Sequence, residues 1–335
     1  MRAAVLYGKE DVRVEERPTP SLKAGEVLIR VKAALTCGTD LKVFRNGSHA
    51  KMLIPPALFG HEFSGVIESV GAGVAPWKPG DRVVAANSAP CLACFFCKKG
   101  KPNLCKDLLF VNGAYAEFLR LPKRIVDLNL LRIPEGLSFE AAALTEPLAC
   151  VARGVEAVNP KPGENVVVLG AGPVGLLFIQ LLSRAGARVT VVGKGEKRLA
   201  AAKRFGAENL VDISQGPPMP EGEGADCVIE AVGRPAAWSR AIQMVRPGGR
   251  VLLFGGCPSG TEVALDTKRF HYDELTLLSV FHHTPEAIRR SLHLISDGKV
   301  DPKLLITKEA RLDELPAILK GMLTEQDGVK MVIRP

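Results

Sequence analysis

The sequence predicts an α/β protein of two domains, in which a barrel-like β domain precedes a doubly wound parallel sheet. Three observations predict this architecture. The chain has 335 residues, enough for about two domains of ordinary size. Short strands broken by Gly, Pro and Asn fill roughly the first 120 positions. Beyond about residue 150, fully apolar strands alternate with helical stretches, as in a parallel sheet covered on both faces.

The composition is that of a globular protein, with 47% hydrophobic and 24% charged residues, so disordered and fibrous architectures are excluded. No apolar segment precedes the first charges, and we therefore expect no signal peptide. The longest apolar stretch, Val166 to Leu182, contains three glycines and a proline and is shorter than the about 20 residues of a membrane span. We interpret it as a buried strand, a turn and a helix, and expect a soluble, cytoplasmic protein without a membrane segment.

The net charge of +8 leaves a nucleic-acid-binding protein as an alternative. The basic residues are scattered, however, and their densest group is Lys98, Lys99, Lys101 and Lys106. Aromatic residues make up only 5% of the chain, and single-strand binders need aromatic side chains on which bases stack. The composition therefore favours a small-molecule partner over nucleic acid.

The first domain offers five candidate strands, with the sequences AAVLY, DVRVEE, EVLIRVKAAL, EFSGVIESV and DRVVAA, and little helical periodicity. The second domain offers NVVVLG, RVTVVG, NLVDIS, ADCVIEAVG, RVLLFGG and LTLLSVF. Six strands are the number expected for a complete dinucleotide-binding domain. From about Ser291 to Pro335 the alternation is lost, and we expect this tail to pack back on the first domain.

A glycine-rich turn follows the strand NVVVL. Its sequence GAGPVG has the spacing G-x-G-x-x-G between a strand and a helix, which is the context that a dinucleotide requires. The first glycine permits the tight turn, the second lets backbone amides approach a pyrophosphate, and the third lets the helix pack on the sheet. The predicted cofactor residues of this turn are Gly170, Gly172, Pro173, Val174 and Gly175. A packing turn in another α/β protein is the alternative.

The next strand, RVTVV, lacks the acidic residue that normally accepts the ribose hydroxyls at its end. Gly193, Lys194 and Arg198 are there instead. Small and basic residues accept a 2′-phosphate that a carboxylate would repel, so the sequence favours NADP over NAD. Glu196 holding a ribose is the alternative for NAD, and Lys197 on a solvated helix face is the simplest interpretation of that residue.

Small residues also follow the later strands, at the edge where parallel sheets bind ligands. The further predicted cofactor residues are Ala231, Val232, Gly233, Phe254, Gly255, Gly256, Val280 and Phe281. For His282 and His283 we expect no imidazole chemistry.

Four of the eight cysteines lie within one short segment, CLACFFCKKGKPNLC. Cys91, Cys94, Cys97 and Cys105 have the spacing C-x₂-C-x₂-C-x₇-C, and four thiolates complete the tetrahedral shell of a structural zinc ion. An iron–sulfur cluster and free thiols are the alternatives, but ferredoxin-type runs continue with a different spacing. The sequence therefore predicts a structural-zinc lobe over residues 88–108.

A second group of possible metal ligands is spread along the chain. Cys37 follows a strand in LTCGTD, His61 lies in FGHEF, and Glu146 lies in TEPLAC before the second domain. One cysteine, one histidine and one carboxylate with an open position form the shell of a catalytic zinc ion. Alone, Cys37 and His61 are more often a buried cysteine and a core histidine.

The segment GHEFSGVIESVG resembles the signature GHE-x₂-G-x₅-G of the zinc-containing medium-chain dehydrogenases of the alcohol dehydrogenase superfamily. The segments CGTD, the cysteine lobe, EPLAC and GAGPVG occur in the family's order, and the resemblance is nearest to the sorbitol (L-iditol) and threonine dehydrogenase branch. It implies a chaperonin-10-like catalytic domain over 1–149 and 288–335, with a Rossmann domain over 150–287. It further implies that Cys37 and His61 bind a catalytic zinc ion, with either Glu62 or Glu146 as the carboxylate ligand.

The chemistry implied is hydride transfer between a secondary alcohol and a nicotinamide, since zinc lowers the pKa of a bound hydroxyl group. The family places a proton-accepting hydroxyl at the position of Thr39. A histidine that usually continues this proton relay is replaced by Lys42. One alternative is that this lysine is desolvated near the zinc ion and passes the proton itself. The other is that it points to solvent, in which case water or His49 continues the relay.

The substrate is left open among polyols, amino alcohols such as threonine, and sugar phosphates. A zinc-free quinone reductase of the same superfamily is the alternative enzyme, but it does not explain why Cys37, His61 and the cysteine lobe occur together. Relatives form dimers or tetramers, so we expect a homodimer or homotetramer.

Overall fold

A computed structural model of the chain describes residues 1–48, 52–215, 223–324 and 330–335. The chain divides into two compact units. Unit 1 comprises Met1–Ala149 and His283–Pro335, and unit 2 comprises Cys150–His282. The second boundary lies slightly before the one that the sequence suggests at 287/288.

Residues 1–149 contain mostly short strands. These are β1 (Arg2–Gly8), β2 (Asp11–Glu16), β3 (Val27–Leu35), β4 (Ala57–Leu58), β5 (Phe63–Val70), β6 (Arg82–Ala85), β7 (Ser88–Ala89), β8 (Leu109–Phe110), β9 (Phe118–Leu121) and β10 (Leu130–Arg132). The helices are α1 (Gly38–Asn46), α2 (Phe95–Lys98), α3 (Lys123–Asn129), α4 (Phe139–Ala143) and α5 (Thr145–Val158), with a 3-10 turn at Pro102–Leu104. Helices α3 and α4 have seven and five residues, too few for a helical period to show in the sequence.

The remaining elements follow in chain order. The strands are β11 (Asn165–Leu169), β12 (Arg188–Gly193), β13 (Asn209–Asp212), β14 (Ala225–Glu230), β15 (Val245–Leu253), β16 (Thr276–Ser279), β17 (Ile306–Arg311) and β18 (Lys330–Arg334). The helices are α6 (Pro173–Arg184), α7 (Glu196–Arg204), α8 (Pro235–Met244), α9 (Thr267–Tyr272), α10 (Pro285–Ser296), α11 (Pro302–Leu305) and α12 (Leu315–Thr324), with 3-10 turns at Ile213–Gln215 and Leu312–Glu314.

Unit 1 is built on a seven-stranded sheet in the order β10-β6-β5-β3-β18-β17, with β9 also paired to β3. Strand β18 pairs antiparallel with β3 and matches Val332 with Leu35. This pairing confirms the prediction that the tail returns to the first domain. The core beneath the sheet contains the fully buried rings of Phe44, Phe59 and Tyr115, whose burial removes large apolar areas from water.

Unit 2 is a six-stranded sheet in the order β13-β12-β11-β14-β15-β16, and every neighbouring pair is parallel. The strand order reverses at β11, which is where doubly wound sheets bind their ligands. Inside the sheet layer, Val168, Val191 and Val228 are completely buried. The predicted α/β fold class is confirmed.

The apolar stretch Val166 to Leu182 is the strand β11, a turn and the helix α6, as the sequence predicts. Over the described ranges, no helix is both long enough and apolar enough to cross a membrane.

Candidate active site

Cys37 lies between β3 and α1 and serves as the N-cap residue of this helix. Its backbone is extended, and its Sγ accepts a hydrogen bond from the backbone N–H of Thr39 at 3.4 Å. An acceptor at this position satisfies an N–H group that the helix itself leaves unpaired. The turn therefore fixes the half-buried sulfur at the start of α1.

His61 follows Gly60 and is 4% exposed. Its Nδ1 lies 2.8 Å from Oδ1 of Asp40, a buried residue in the first turn of α1. Burial lowers the pKa of His61, but the charge and hydrogen bond of Asp40 outweigh this effect and raise the pKa well above its ordinary value. With its Nδ1–H donated to Asp40, the imidazole has Nε2 available for a cation, which is the arrangement of metal-binding histidines.

Glu62 is completely buried, and the ammonium group of Lys330 compensates the negative charge of its carboxylate. Lys330 donates to its Oε1 at 2.7 Å and also to its Oε2, and the same Nζ donates to the backbone oxygen of Thr36 at 2.9 Å. Burial lowers the pKa of Lys330, but Glu62 and Cys37 raise it above its ordinary value overall. The ammonium group thus uses all three of its protons inside unit 1.

Cys37, His61 and Glu62 each offer a donor atom, and these three atoms lie within 4.8 Å of one another. A tetrahedral ion bound at about 2.0–2.3 Å holds its donors roughly 3.5 Å apart. A small inward movement is therefore enough for the three residues to share one ion. The donor set of thiolate, imidazole and carboxylate is the one that zinc accepts.

Glu146 lies in the first turn of α5, is 7% exposed, and does not belong to this group of three donors. Its Oε1 is 3.7 Å from Nε2 of the buried His283. Burial raises the pKa of Glu146 to about 7; the charge of His61 opposes this rise and that of Glu62 adds to it. Of the two predicted carboxylate ligands, Glu62 is thus the one grouped with Cys37 and His61.

The two predicted relay residues lie on α1 but in different surroundings. Thr39 is half-buried, two residues from Cys37, whereas Lys42 is exposed. A lysine gives up its proton near neutral pH only when it is desolvated. The exposure of Lys42 therefore favours the second alternative, in which this side chain points to solvent. His49 lies outside the described residues.

The four cysteines of the lobe lie together, with their Sγ atoms within 4.8 Å of one another. Individual Sγ–Sγ distances are 3.6 Å for Cys94–Cys97, 3.9 Å for Cys94–Cys105 and 3.4 Å for Cys91–Cys105. These distances lie close to the separation of about 3.8 Å that is expected between thiolates bound to one tetrahedral zinc ion. They are too long for disulfide bonds. Hydrogen bonds from the backbone of Cys97 and Lys106 lower the pKa of Cys94 to about 6, whereas burial and the neighbouring thiols raise the pKa of Cys97 to about 12. In the metal-free lobe, Cys94 is therefore the thiol that more readily forms the thiolate that a metal requires.

In unit 2 the glycine-rich turn has the geometry that its sequence predicts. Gly170 has φ +109°, Gly172 is the N-cap of α6, and Pro173 is in the first turn of that helix. A Cβ at Gly175 would lie 1.8 Å from the oxygen of Gly170, so only glycine allows this approach of helix and strand. A Cβ at Gly172 would meet nothing within 4 Å, so its backbone is open to a ligand.

Arg198 lies in α7, and the other predicted cofactor residues lie at the carboxyl ends of β12, β14, β15 and β16, which share one edge of the parallel sheet. The structure also shows a residue that the sequence did not suggest. Glu230, at the end of β14, is completely buried and accepts hydrogen bonds from the N–H groups of Val232 and Gly233 at 2.8 and 2.7 Å. This carboxylate fixes the turn in which Ala231, Val232 and Gly233 lie.

At the end of β12, Lys194 and Glu196 are exposed and Arg198 is half-buried. A Cβ at Gly193 would lie 2.8 Å from that of Ala171, which explains the missing acidic residue, because no side chain fits there. The neighbouring strand β13 ends in Asp212, and hydrogen bonds from Ser214, together with one from the backbone of Gly195 and the charge of Lys194, lower the pKa of this residue. A carboxylate is thus present beside the tip of β12, although on another strand.

Asp40, Tyr115 and Lys330 complete the surroundings of the three donors and were not assigned from the sequence. Asp40 lies within the quoted segment CGTD, three residues after Cys37, so its position on α1 was the available signal. Lys330 contacts Glu62, and Tyr115 contacts Asp40, from distant parts of the chain. No local sequence pattern therefore indicates that these two residues belong to the site.

Two family models match the chain. The alcohol dehydrogenase GroES-like domain matches residues 23–134, and the zinc-binding dehydrogenase model matches residues 173–297. Among curated proteins, the sorbitol dehydrogenase of Bacillus subtilis (strain 168) is 31% identical, with 100% of this chain and 97% of that protein covered. The D-xylulose reductase A of Aspergillus oryzae is 33% identical, with 90% and 88% covered.

Solved structures extend this similarity to the whole fold. A Sinorhizobium meliloti 1021 structure bound to NADP has a TM-score of 0.91 at 28% identity, covering 100% of this chain and 99% of that one. An Escherichia coli CFT073 alcohol dehydrogenase complexed with NADH gives 0.88 at 27% identity, covering 100% and 99%. The Escherichia coli galactitol-1-phosphate dehydrogenase gives 0.88 at 26% identity, with both chains covered completely.

These matches span both units, and they agree with the segment order that the sequence shows. They leave the nucleic-acid-binding alternative without support. The chain belongs to the zinc-type medium-chain alcohol dehydrogenase family, near its sorbitol dehydrogenases, and is an oxidoreductase that transfers a hydride between a small alcohol or polyol and a nicotinamide cofactor.

Proposed function

We propose that this enzyme oxidises a polyol at a zinc ion held by Cys37, His61 and Glu62. The observation that carries the proposal is the grouping of these three donor atoms within 4.8 Å, with the imidazole oriented by Asp40. Zinc, when bound, supplies Lewis acidity and lowers the pKa of a coordinated hydroxyl group. The remaining chemistry depends on what the chain's own residues do around this position.

The charges around the donors favour negative charge on the substrate oxygen. Three groups around this position would be anionic beside a bound cation, namely the Cys37 sulfur, Glu62 and Asp40. Lys330 offsets the charge of Glu62, so a divalent cation here would be opposed by two negative charges rather than three. It would therefore stabilise a developing oxyanion more strongly than it would without the lysine. Glu62 and Lys330 together thus act as a neutral pair rather than as an anion.

Thr39 is the residue that we propose as the acceptor of the alcohol proton. It lies in the first turn of α1, two residues from Cys37, and is half-buried rather than exposed. A hydroxyl group both accepts and donates, so it passes a proton on without holding a charge. Because Lys42 is exposed, we assign the outer end of this relay to water.

We propose a second, structural zinc ion at Cys91, Cys94, Cys97 and Cys105. Four thiol groups whose Sγ atoms lie within 4.8 Å of one another, with three of the pairs at 3.4 to 3.9 Å, can fill the shell of a tetrahedral ion. Such a site has no open position for a substrate, and its effect is on the stability of the lobe.

For the cofactor we propose NADP in preference to NAD. Glycine is required sterically at position 193, and Lys194 and Arg198 supply positive charge near the tip of β12. Asp212 is the observation that favours NAD. Lys194→Glu is expected to raise KM for NADP about ten-fold while KM for NAD changes little. Lys203→Glu, at an exposed position of the following helix α7, is the control.

The names of the relatives favour a polyol or its phosphate as substrate. The deciding experiment follows the absorbance of the reduced nicotinamide with sorbitol, xylitol, threonine and galactitol 1-phosphate, each with NAD and with NADP. Every assay is repeated after chelation and after zinc is restored. A zinc-free quinone reductase would keep its activity through chelation, and this result would refute the proposal.

The matching variants are Cys37→Ala and Cys227→Ala, which each remove one free thiol. Cys227 is buried in β14, outside the groups of possible metal ligands found among the described residues. We expect Cys37→Ala to lose one equivalent of zinc and its turnover, and Cys227→Ala to retain both. A cytoplasmic location and a homodimer or homotetramer stay predictions.

A further inference from the structure

Tyr115 is a fully buried residue between β8 and β9, and its hydroxyl group reaches the surroundings of the three donors. The hydroxyl lies 2.7 Å from Oδ2 of Asp40 and 3.0 Å from the backbone oxygen of Leu35. The other carboxylate oxygen of Asp40, Oδ1, is the partner of His61 Nδ1. Phenol, carboxylate and imidazole thus form one buried chain of hydrogen bonds.

The backbone around Tyr115 is bonded to the segment that carries His61. The N–H of Tyr115 donates to the oxygen of Phe59 at 3.0 Å, and the N–H groups of Gly113 and Ala114 donate to the oxygen of Gly60 at 2.9 and 3.1 Å. Gly60 has φ +90°, and a Cβ at this position would lie 2.5 Å from the ring of Tyr115. The ring therefore packs directly against the residue before His61.

These contacts connect two segments that are separate in sequence. Through its hydroxyl group Tyr115 binds Asp40 on α1, the helix that starts after Cys37. Through its ring and backbone it binds the segment before His61. The same residue therefore sets the position of α1 relative to the histidine.

We propose that Tyr115 is a positioning residue for the catalytic metal, acting through Asp40 on the imidazole of His61. If Asp40 were bound only to His61, through Oδ1, its carboxylate group would be free to rotate about the Cβ–Cγ bond. The phenol holds the second oxygen, so Oδ1 stays directed at Nδ1 and the Nε2 lone pair stays directed at the cation. Outer partners of metal-binding histidines contribute to metal affinity in this way. The inference rests on the proposed function, because it requires that a metal binds at Cys37 and His61.

The residues around Tyr115 favour the protonated form of its hydroxyl group, which donates a hydrogen bond. Burial and the negative charge of Asp40 raise the pKa of Tyr115 well above its ordinary value. Its proton is therefore retained across the working pH range and is directed to the charged acceptor, Asp40, at the shorter of the two distances.

The test compares Tyr115→Phe with Tyr7→Phe. Both variants lose a hydrogen bond from a phenol to a carboxylate, since Tyr7 on β1 donates to Glu15 at 2.9 Å. The other hydrogen-bond partner of the Tyr7 hydroxyl is Arg17, which donates to it at 2.9 Å and is not one of the three donors. Tyr115→Phe keeps the ring that packs against Gly60. Zinc transfer to a chromogenic chelator is followed for both variants and for the wild type, at a temperature well below the unfolding of each.

We expect two released zinc ions in the wild type, of which one is missing in Cys37→Ala. Tyr115→Phe is expected to weaken binding of this ion about ten-fold and to leave the lobe's ion unchanged. A cobalt-substituted sample is expected to show a shifted visible spectrum, which a purely structural loss of stability does not produce. Zinc release and spectrum equal to those of Tyr7→Phe would overturn the inference. A wild type without a Cys37-dependent ion would instead refute the proposed function, and the inference with it.

A double-mutant cycle with Asp40→Asn tests whether the effect passes through the carboxylate. If Tyr115 acts through Asp40, Tyr115→Phe adds little to the zinc loss that Asp40→Asn causes alone. Additive losses in the double variant would show an independent effect of Tyr115 and would contradict its assignment as a positioning residue.

Discussion

The two groups of proposed metal ligands in unit 1 are built in opposite ways. The lobe takes all its donors from residues 91–105, its thiols are mostly half-buried, and backbone N–H groups within the same segment stabilise them. The centre at Cys37 and His61 collects donors from two segments. Its supporting residues Tyr115 and Lys330 come from much further along the chain.

The two groups therefore depend to different degrees on the folding of the rest of unit 1. A centre formed within one short loop needs only its own turn geometry. A centre assembled by long-range contacts exists only when the sheet of unit 1 is complete, and it is buried, so each unpaired charge there is costly. We therefore expect changes at the buried centre to have larger effects than changes in the lobe.

His61→Ala has the largest expected effect. Removing the imidazole removes one ligand and the link to Asp40, so turnover is expected to fall at least about a thousand-fold, or about 4 kcal/mol of transition-state stabilisation. Steady-state kinetics and zinc content measure this loss. His293→Ala, which alters an exposed histidine of α10, is the control and is expected to retain both activity and zinc. Activity near that of the wild type in His61→Ala would show that the buried centre is not catalytic.

In the metal-free protein, Lys330→Met is expected to reduce the free energy of unfolding by about 3–5 kcal/mol, because it leaves Glu62 charged and unpaired in the interior. Urea denaturation measures the change. The double variant Lys330→Met/Glu62→Gln is expected to recover more than half of the loss, since it removes the buried charge. Lys123→Met breaks an exposed pair with Asp127, and a loss of less than about 0.5 kcal/mol is expected there. Equal losses at both sites would contradict the contrast between buried and exposed pairs.

Glu146 gives the buried centre a pH dependence in the metal-free protein. Its pKa is about 7 in the folded state and 4.5 as the ordinary value. Between these values the folded state holds a proton that the unfolded state has lost, so stability falls as the pH rises through this window. Urea denaturation of the chelated protein is expected to show about 2–3 kcal/mol of this loss, and Glu146→Gln to remove most of it. An unchanged slope in Glu146→Gln would contradict the assignment.

Cys94→Ser is expected to have the smallest effect. The lobe loses its ion, and the unfolding temperature is expected to fall by a few degrees, at about 2–4 °C for each kcal/mol. Turnover measured well below this temperature is expected to stay close to that of the wild type, and limited proteolysis within 91–105 to become faster. A loss of turnover as large as in His61→Ala would mean that the lobe and the buried centre are coupled.

The sequence predicts well what is local. The spacing of the four cysteines indicates their proximity, and GAGPVG indicates a strand, a turn and a helix, because in both cases neighbouring residues suffice to define the geometry. The alternation of apolar strands and helices likewise predicts the parallel sheet of unit 2, whose fully buried strands show as continuous apolar runs.

Long-range contacts could not be predicted in the same way. Lys330 reaches Glu62 only because β18 pairs with β3, and Tyr115 reaches Asp40 across 75 positions of sequence. The exposure of Lys42 depends on which face of α1 is turned inward. The choice between Glu62 and Glu146 depends on distances that sequence spacing does not define.

The position of β18 between β3 and the edge strand β17 of the unit 1 sheet has a consequence for synthesis. On the ribosome, residues 1–149 emerge first, and all of unit 2 is translated before Lys330 leaves the exit tunnel. Until then the nascent chain lacks both the strand between β3 and β17 and the cation that neutralises Glu62. Since domains generally fold as they emerge, we expect unit 2 to be complete while unit 1 still lacks β18. We therefore expect the proposed zinc centre to be completed late in synthesis.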